Sequence, residues 1–334
     1  MTFTLFSSNL VWALRDAILH VAHAPADSCW TRMQNLMLTV VAVVFYHLGR
    51  REGSMPRREH TSEKSLSIDP RITSTRENLE SLRAGCRNVV VLPALVTTLG
   101  ELAKLVTAVG SIVRAGGVVV LVDDGSPINV NSVVRDRPFV VLVKHAENYG
   151  PGAARNTGLE VALEVFSPSF IAFTDADCVV DSGWLYEHAR HQREEPGVWS
   201  GQTAALRPGY IARYHDAMGT LNGRRNATGG LIYGPTCNLS VASTILRTAR
   251  FDERFPSAAF EDVEFCVRLI KSDIVPRYAR SALVRHDYAL TLSDFARQFH
   301  RYGTGHSLME FIHPDFNNWY AFSSNIPVDR GHQR

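Results

Sequence analysis

Phe170-Ile171-Ala172-Phe173-Thr174-Asp175-Ala176-Asp177-Cys178 decides how this chain is read. An apolar run stops abruptly at two carboxylates separated by one residue. The run is bulky enough to be a buried strand of a parallel sheet, covered on both faces. The carboxylates then fall at its carboxyl end, where open α/β sheets bind ligands. Asp-x-Asp in a loop offers two oxygen ligands to one hard divalent cation, or serves a cation and a ribose hydroxyl. A polar turn closing a strand would use the same residue type, so the neighbouring segments decide between them.

Upstream, Val89-Val90-Val91-Leu92 reads as a strand ended by Pro93. A helical period follows through Leu99, Leu102, Leu105, Val106, Val109 and Val113, ending at Gly116-Gly117. Val118 to Val122 is a second strand, stopped by Asp123-Asp124-Gly125-Ser126, and Phe139 to Val143 is a third. Gly150-Pro151-Gly152 opens a helix through Ala153, Ala154, Leu159 and Ala162. Strands alternating with helices predict right-handed crossovers and an α/β fold: a doubly wound, mostly parallel sheet with helices on both faces. Downstream, a strand is expected over Val198–Ala204, and a helix and loop over Arg207–Arg225. A turn enters a strand across Tyr233–Val241, and helices cover Glu261–Lys271 and Thr291–Ile312.

The 334 residues suffice for a large core and one or two domains. A formal net charge of +2 does not mark a nucleic-acid binder. The five cysteines are scattered with no Cys-x-x-Cys pair, which argues for free thiols over a zinc ribbon or disulfide framework. Three regions are expected: an N-terminal segment 1–87, a catalytic domain 88–313, and an irregular tail 314–334. Within the first, Leu36–Leu48 is nearly all apolar between Arg32 and Arg50-Arg51. It is shorter than the roughly 20 residues of a membrane span. It reads as a core or interfacial helix, or as a short signal-anchor giving a single membrane association. Arg50–Arg83 reads as a polar linker.

Four further clusters carry chemistry. Asp123-Asp124-Gly125-Ser126 ends a strand in carboxylates able to accept from a base or ribose hydroxyl, and its Gly lets the turn reverse beside a ligand. Asn148-Tyr149-Gly150-Pro151-Gly152-Ala153-Ala154-Arg155-Asn156 brings a helix N-terminus close to a neighbour or anion, with Arg155 able to pair with a diphosphate. It fails the dinucleotide-binding glycine pattern, which weakens a nicotinamide-dependent oxidoreductase reading. In Phe260-Glu261-Asp262-Val263-Glu264-Phe265, Asp262 shares a helix face with Phe265, Cys266 and Leu269, so an inward carboxylate is a candidate general base. A plain helix-dipole role for the Glu-Asp pair is the competing reading. His286 is a candidate metal ligand beside Asp177.

Val122-Asp123-Asp124-Gly125-Ser126, Gly150-Pro151-Gly152-Ala153-Ala154-Arg155-Asn156, Asp175-Ala176-Asp177, Asn238-Leu239-Ser240 and Phe260-Glu261-Asp262 together resemble the family 2 glycosyltransferases in order and spacing. The resemblance covers roughly residues 88 to 305 and implies the GT-A fold. It implies a nucleotide-diphosphate sugar donor, a hydroxyl acceptor, inversion, and Mg²⁺ or Mn²⁺. In those terms Asp123 and Asp124 hold the nucleoside, Arg155 lies near base or diphosphate, Asp175 contacts ribose and Asp177 binds the metal. Asp262 resembles the general base, with Glu261 beside it, and Gly234 and Asn238 line the sugar and acceptor region. Arg301 lies in Gln298-Phe299-His300-Arg301-Tyr302, similar to Gln-x-x-Arg-Trp of processive synthases but with Tyr for Trp. Pro93 would border the base, but Ala94-Leu95-Val96 follows it where the family usually has a polar-aromatic pair.

Two other classes compete. A sugar nucleotidyltransferase wants a Gly-rich basic loop after the first strand, and Ala94–Gly100 has no Arg or Lys. A non-catalytic nucleotide-sugar or carbohydrate-binding relative would have less need of both Asp175-Ala176-Asp177 and Glu261-Asp262. Asn226-Ala-Thr and Asn238-Leu-Ser are sequons. A glycan at Asn238 would obstruct the expected site, which favours a cytoplasmic catalytic domain.

Overall fold

The computed structural model describes residues 29–52, 66–68, 88–135, 137–226, 229–288, 291–320 and 323–329. Most of the stretch read as a linker, residues 53–65 and 69–83, lies outside them. The strands are β1 (Leu66–Ile68), β2 (Val89–Ala94), β3 (Val118–Asp123), β4 (Val140–His145), β5 (Phe170–Phe173), β6 (Cys178–Val180), β7 (Val198–Ala205), β8 (Arg224–Arg225), β9 (Leu231–Tyr233), β10 (Leu239–Ala242), β11 (Arg277–His286) and β12 (Ser324–Asn325). The principal helices are α1 (Cys29–Glu52), α2 (Leu99–Arg114), α3 (Pro151–Val165), α4 (Trp184–Glu194), α5 (Tyr210–Met218), α6 (Glu261–Ile270), α7 (Leu292–Ile312) and α8 (Phe316–Tyr320).

Nine strands form one sheet in the order β1-β4-β3-β2-β5-β10-β7-β11-β6. β4, β3, β2 and β5 are parallel, as the alternation of strands and helices requires. Six strands run one way; β1, β10 and β6 run against them. The expected α/β sheet, mostly parallel with helices on both faces, is therefore the one observed. β2, and β3 up to Val122, are apolar because both faces are covered. Val91, Val120 and Phe173 pack with Leu159 and Phe265 on one side. Val90, Leu121 and Ala172 pack with Leu105 and Trp184 on the other. α3 lies close on the sheet because Gly158 has no side chain; a Cβ there would sit 2.5 Å from Val91 Cγ1. α2 begins in a reciprocal cap: Glu101 N donates to Thr98 Oγ1 at 3.2 Å and Thr98 N donates to Glu101 Oε2 at 3.0 Å.

The apolar N-terminal stretch is part of the longer helix α1, and it packs on the body. Leu38 and Ala42 share a small core with Ile211, Tyr214 and Phe295. α1 crosses α7 with backbones nearly touching: a Cβ on Gly303 would lie 1.8 Å from Tyr46 O, and one on Gly49 1.8 Å from His300 O. Arg50 pairs with Glu310, and Ser307 Oγ donates to Arg50 O at 2.6 Å. No described helix is long and apolar enough to cross a membrane. The stretch after Pro314, expected to be irregular, holds α8 and β12, which pairs with β8. Its order comes from Phe316, fully buried against Phe260 and His306.

Candidate active site

The carboxyl ends of β2 and β5, the start of α6 and the faces of α1 and α7 enclose a cleft of about 1570 Å³. Pro93, Asp124, Arg155, Asp175, Asp177, Glu261, Asp262, His286 and Arg301 all line it. Segments far apart in sequence thus converge on one cavity.

Its centre is a chain of charges. Arg155, one turn into α3, donates from Nη1 to Glu261 Oε1 at 2.7 Å and from Nη2 to Asp175 Oδ1 at 2.9 Å. Burial works against the guanidinium charge, but Asp175 and Glu261 more than offset it and raise its pKa. Arg155 is thereby paired with two carboxylates at the cleft wall.

Phe260 precedes α6 in a left-handed conformation, φ +69°, unusual for a bulky residue. This bend starts the helix so that Glu261 and Asp262 both sit in its first turn. Glu261 is buried on Arg155, while Asp262 is half-buried at the cleft. Asp262 accepts from Val263 N at 2.8 Å and from Thr236 N at 3.3 Å. Burial, together with the Glu261 charge, pushes its carboxyl up to about 7; Arg155 and the two amides pull the other way.

Asp177, just past β5, lies with its Oδ1 3.4 Å from His286 Nε2 at the end of β11. His286 Nδ1 is buried with no hydrogen-bond partner. The 3.4 Å gap is wide for a hydrogen bond. It is close to the roughly 3 Å between adjacent ligands on an octahedral ion with bonds of about 2.0–2.1 Å. An oxygen and an imidazole nitrogen so placed are spaced to share one divalent cation. Cys178 Sγ lies in the same cluster. Burial, then hydrogen bonding to Cys237 and the Asp177 charge, hold its thiol above its ordinary pKa, and soft sulfur suits a hard cation less well than the carboxylate does.

Asp124 is consumed by structure. It takes His145 Nδ1 at 2.7 Å and accepts from Tyr149 N at 3.0 Å and Gly150 N at 2.9 Å, tying the Asp-Asp-Gly-Ser turn to the start of α3. Asp123 closes its own turn, accepting from Ser126 N at 3.0 Å, and does not line the cleft. Gly125, at φ +72°, lets that turn press against Glu147, whose carbonyl carbon a Cβ would meet at 2.4 Å.

Two expected acceptor residues lie elsewhere. Asn238 is fully buried and outside the cleft lining. Its Oδ1 accepts from Trp184 Nε1 at 2.8 Å, and its Nδ2 donates to Gln202 O and Ala282 O at 2.8 and 2.9 Å. It locks four elements together because an enclosed amide must find all its partners. Gly234 is also buried, 2.6 Å from Ser200 Cβ if it carried a Cβ, and its role is to let chains approach. Arg301 does reach the cleft, donating from Nε to Ala258 O at 3.2 Å.

Sequence reasoning missed Lys104, Arg207 and Asp287. Asp287 is buried between Lys104 Nζ at 3.0 Å and Arg207 Nε at 2.5 Å, next to His286, and all three line the cleft. They come from three distant segments, so no local spacing announces them.

Residues 94–251 match the sequence model of glycosyl transferase family 2. Two curated relatives, each a "Pre-mycofactocin glycosyltransferase" from a strain of Mycobacterium tuberculosis (CDC 1551 / Oshkosh, and ATCC 25618 / H37Rv), are 30% identical over 240 residues. The match covers 69% of this chain and 49% of each relative, so the chain spans about half their length. Crystal structures of S. aureus TarS are similar at 16% identity and TM-score 0.49, covering 73% of this chain and 41% of that one. Its 1–349 form in complex with UDP-GlcNAc is similar at 17% and 0.47, covering 70% and 73%. The matched segment, residues 94–251, carries the Asp-Asp-Gly-Ser, Gly-Pro-Gly and Asp-Ala-Asp motifs of the cleft, so the chain holds a region that matches glycosyl transferase family 2.

Proposed function

We propose that this chain transfers a sugar from a nucleotide-diphosphate donor to an acceptor hydroxyl by a single inverting displacement, with Asp262 as general base. The observation that carries this is the Asp262 carboxyl, pushed up to about 7 at a cleft it shares with Asp175 and Asp177. A base with a pKa near the working pH combines a large ionised fraction with useful proton affinity. Its amide partners aim it, and the Arg155–Glu261 pair holds the helix that presents it. As the acceptor oxygen forms its bond to the anomeric carbon, the hydroxyl proton passes to Asp262 and the nucleoside diphosphate leaves.

Asp177 and His286 are the residues that would hold Mg²⁺ or Mn²⁺. Such an ion supplies Lewis-acid neutralisation of the departing diphosphate charge. Asp175, half-committed to Arg155, keeps carboxylate surface toward the cleft for a ribose hydroxyl. Asp262→Asn should lower transfer by about 10²–10⁴-fold, the usual contribution of a general base, while nucleoside-diphosphate affinity is kept. Near-full turnover in that variant would remove the role from Asp262.

A further inference from the structure

The helix α1 lies outside the segment matched by the family model, yet one of its faces forms a wall of the cleft. Thr39, Ala42, Val43, Tyr46 and His47 line it. Their spacing is that of a single helical stripe. The stripe carries no carboxylate, amide, Lys or Arg. Tyr214, Met218, Leu221, Phe299 and Tyr302 also line the cleft, and Tyr214, Met218 and Phe299 pack with Leu38 and Ala42 of α1. Rings link this end to the catalytic end: Tyr46 lies 5.6 Å from His306, which lies 5.1 Å from Phe260, the residue before Glu261 and Asp262. Phe299 and Tyr302 meet edge to face at 5.6 Å on α7.

The two ends of the cleft thus differ in chemistry. Carboxylates, His286, Lys104 and Arg207 gather at the donor end, around Asp175 and Asp177. The α1 stripe presents methyl groups and ring edges with the Thr39 and Tyr46 hydroxyls and the His47 imidazole among them, but no formal carboxylate, amide, Lys or Arg. A free sugar seated there would find fewer hydrogen-bonding groups than at the donor end, at the cost of part of its hydration. An apolar body would displace water from this surface instead.

We infer that the α1 stripe is an acceptor subsite, and that the acceptor hydroxyl is carried on a largely apolar body rather than on a free sugar or glycan. The inference rests on the glycosyltransferase reading given above. α1 is then a specificity element, and Val43, half-buried in mid-stripe, is its most direct probe.

The test uses the full chain with Mn²⁺ and a panel of UDP-, GDP- and dTDP-hexoses, following release of nucleoside diphosphate. Water alone, 2-phenylethanol, 1-octanol and cellobiose serve as acceptors. Release at least tenfold faster with either alcohol, with formation of its glycoside and none from cellobiose, is the expected result. The two alcohols tell a flat body from a linear one. Val43→Glu should cut the alcohol-to-water preference at least tenfold, and Val43→Leu should keep it. Glycosylation of cellobiose but neither alcohol overturns the subsite while leaving the transferase reading intact. So does an unchanged preference in Val43→Glu. Absence of release from every donor, by a chain with a cooperative thermal transition, overturns the transferase reading and the subsite with it.

Discussion

Arg155 Nη1 donates to Glu261 Oε1 at 2.7 Å although 106 residues separate them in the chain. The pair joins α3 to α6, so the helix with the Gly-Pro-Gly start and the helix bearing Asp262 cannot move independently. Both side chains are almost wholly buried.

Removing one partner of this pair should therefore be expensive. Arg155→Leu leaves the Glu261 charge enclosed without compensation, a situation that costs about 3–5 kcal/mol. Urea denaturation reads this as a lower midpoint at unchanged slope. Adding Glu261→Gln should recover part of the loss, because the uncompensated charge is then gone. A single variant as stable as the parent would show that the pair is not stabilising the fold.

Asp262 predicts two opposite pH dependences. As a base it works when ionised, so kcat/KM should rise with pH and level off above about 7. For stability the sign reverses. A carboxyl raised in the fold binds its proton more tightly there than in the unfolded chain. Its contribution is full below the ordinary carboxylate pKa near 4 and is lost as pH climbs through about 7. The loss is on the order of a few kcal/mol. Denaturation midpoints at pH 5 and pH 8 should differ less in Asp262→Asn than in the parent; equal differences would refute the raised pKa.

Metal and nucleotide should bind together. Calorimetric titration with UDP, GDP and dTDP should give binding that strengthens at least tenfold on adding Mn²⁺. Asp177→Ala should abolish that strengthening, and His286→Ala should reduce it. Identical affinities with EDTA and with Mn²⁺ in the parent would count against Asp177 and His286 as ligands.

The crossing of α1 and α7 leaves no room for a methyl group. In Gly303→Ala the new Cβ would meet Tyr46 O at 1.8 Å, so the helices must separate. Overpacking of this kind costs about 1–3 kcal/mol. Because α1 carries the proposed acceptor wall, limited proteolysis should cut within residues 29–52 faster in the variant. An unaltered cleavage pattern and melting temperature would show that the crossing is looser than these contacts imply.

Much of this was legible in the sequence, and the exceptions have physical causes. β2, β3 and β5 announce themselves because a strand covered on both faces must be apolar throughout, and the carboxylates that end β5 mark the binding edge. Helix geometry placed Asp262 on the face of Phe265 and Cys266, and in the fold it lies half-buried at the cleft. Asn238 and Asp124 turn out to be held by partners inside the fold, which spacing along the chain does not reveal. A polar residue near a ligand and one satisfied inside the fold look alike until their partners are seen. Arg155 is a related case: its charge suggests a diphosphate, and only the folded chain brings Glu261 and Asp175 against it. Lys104, Arg207 and Asp287 have no local pattern at all, and the order after Pro314 depends on one buried ring, Phe316.

The docking of α1 also bears on how the chain is made. Tyr46 bonds His306 across 260 residues. At ribosomal rates of about 5–20 residues per second, the helix leaves the exit tunnel on the order of ten seconds or more before its seat on α7 has been synthesised. Through that interval its apolar stripe lacks the cover that α7 gives it. The last wall of the cleft to close is the earliest of the described helices to be translated, so the nascent chain exposes a surface suited to chaperone capture until α7 arrives.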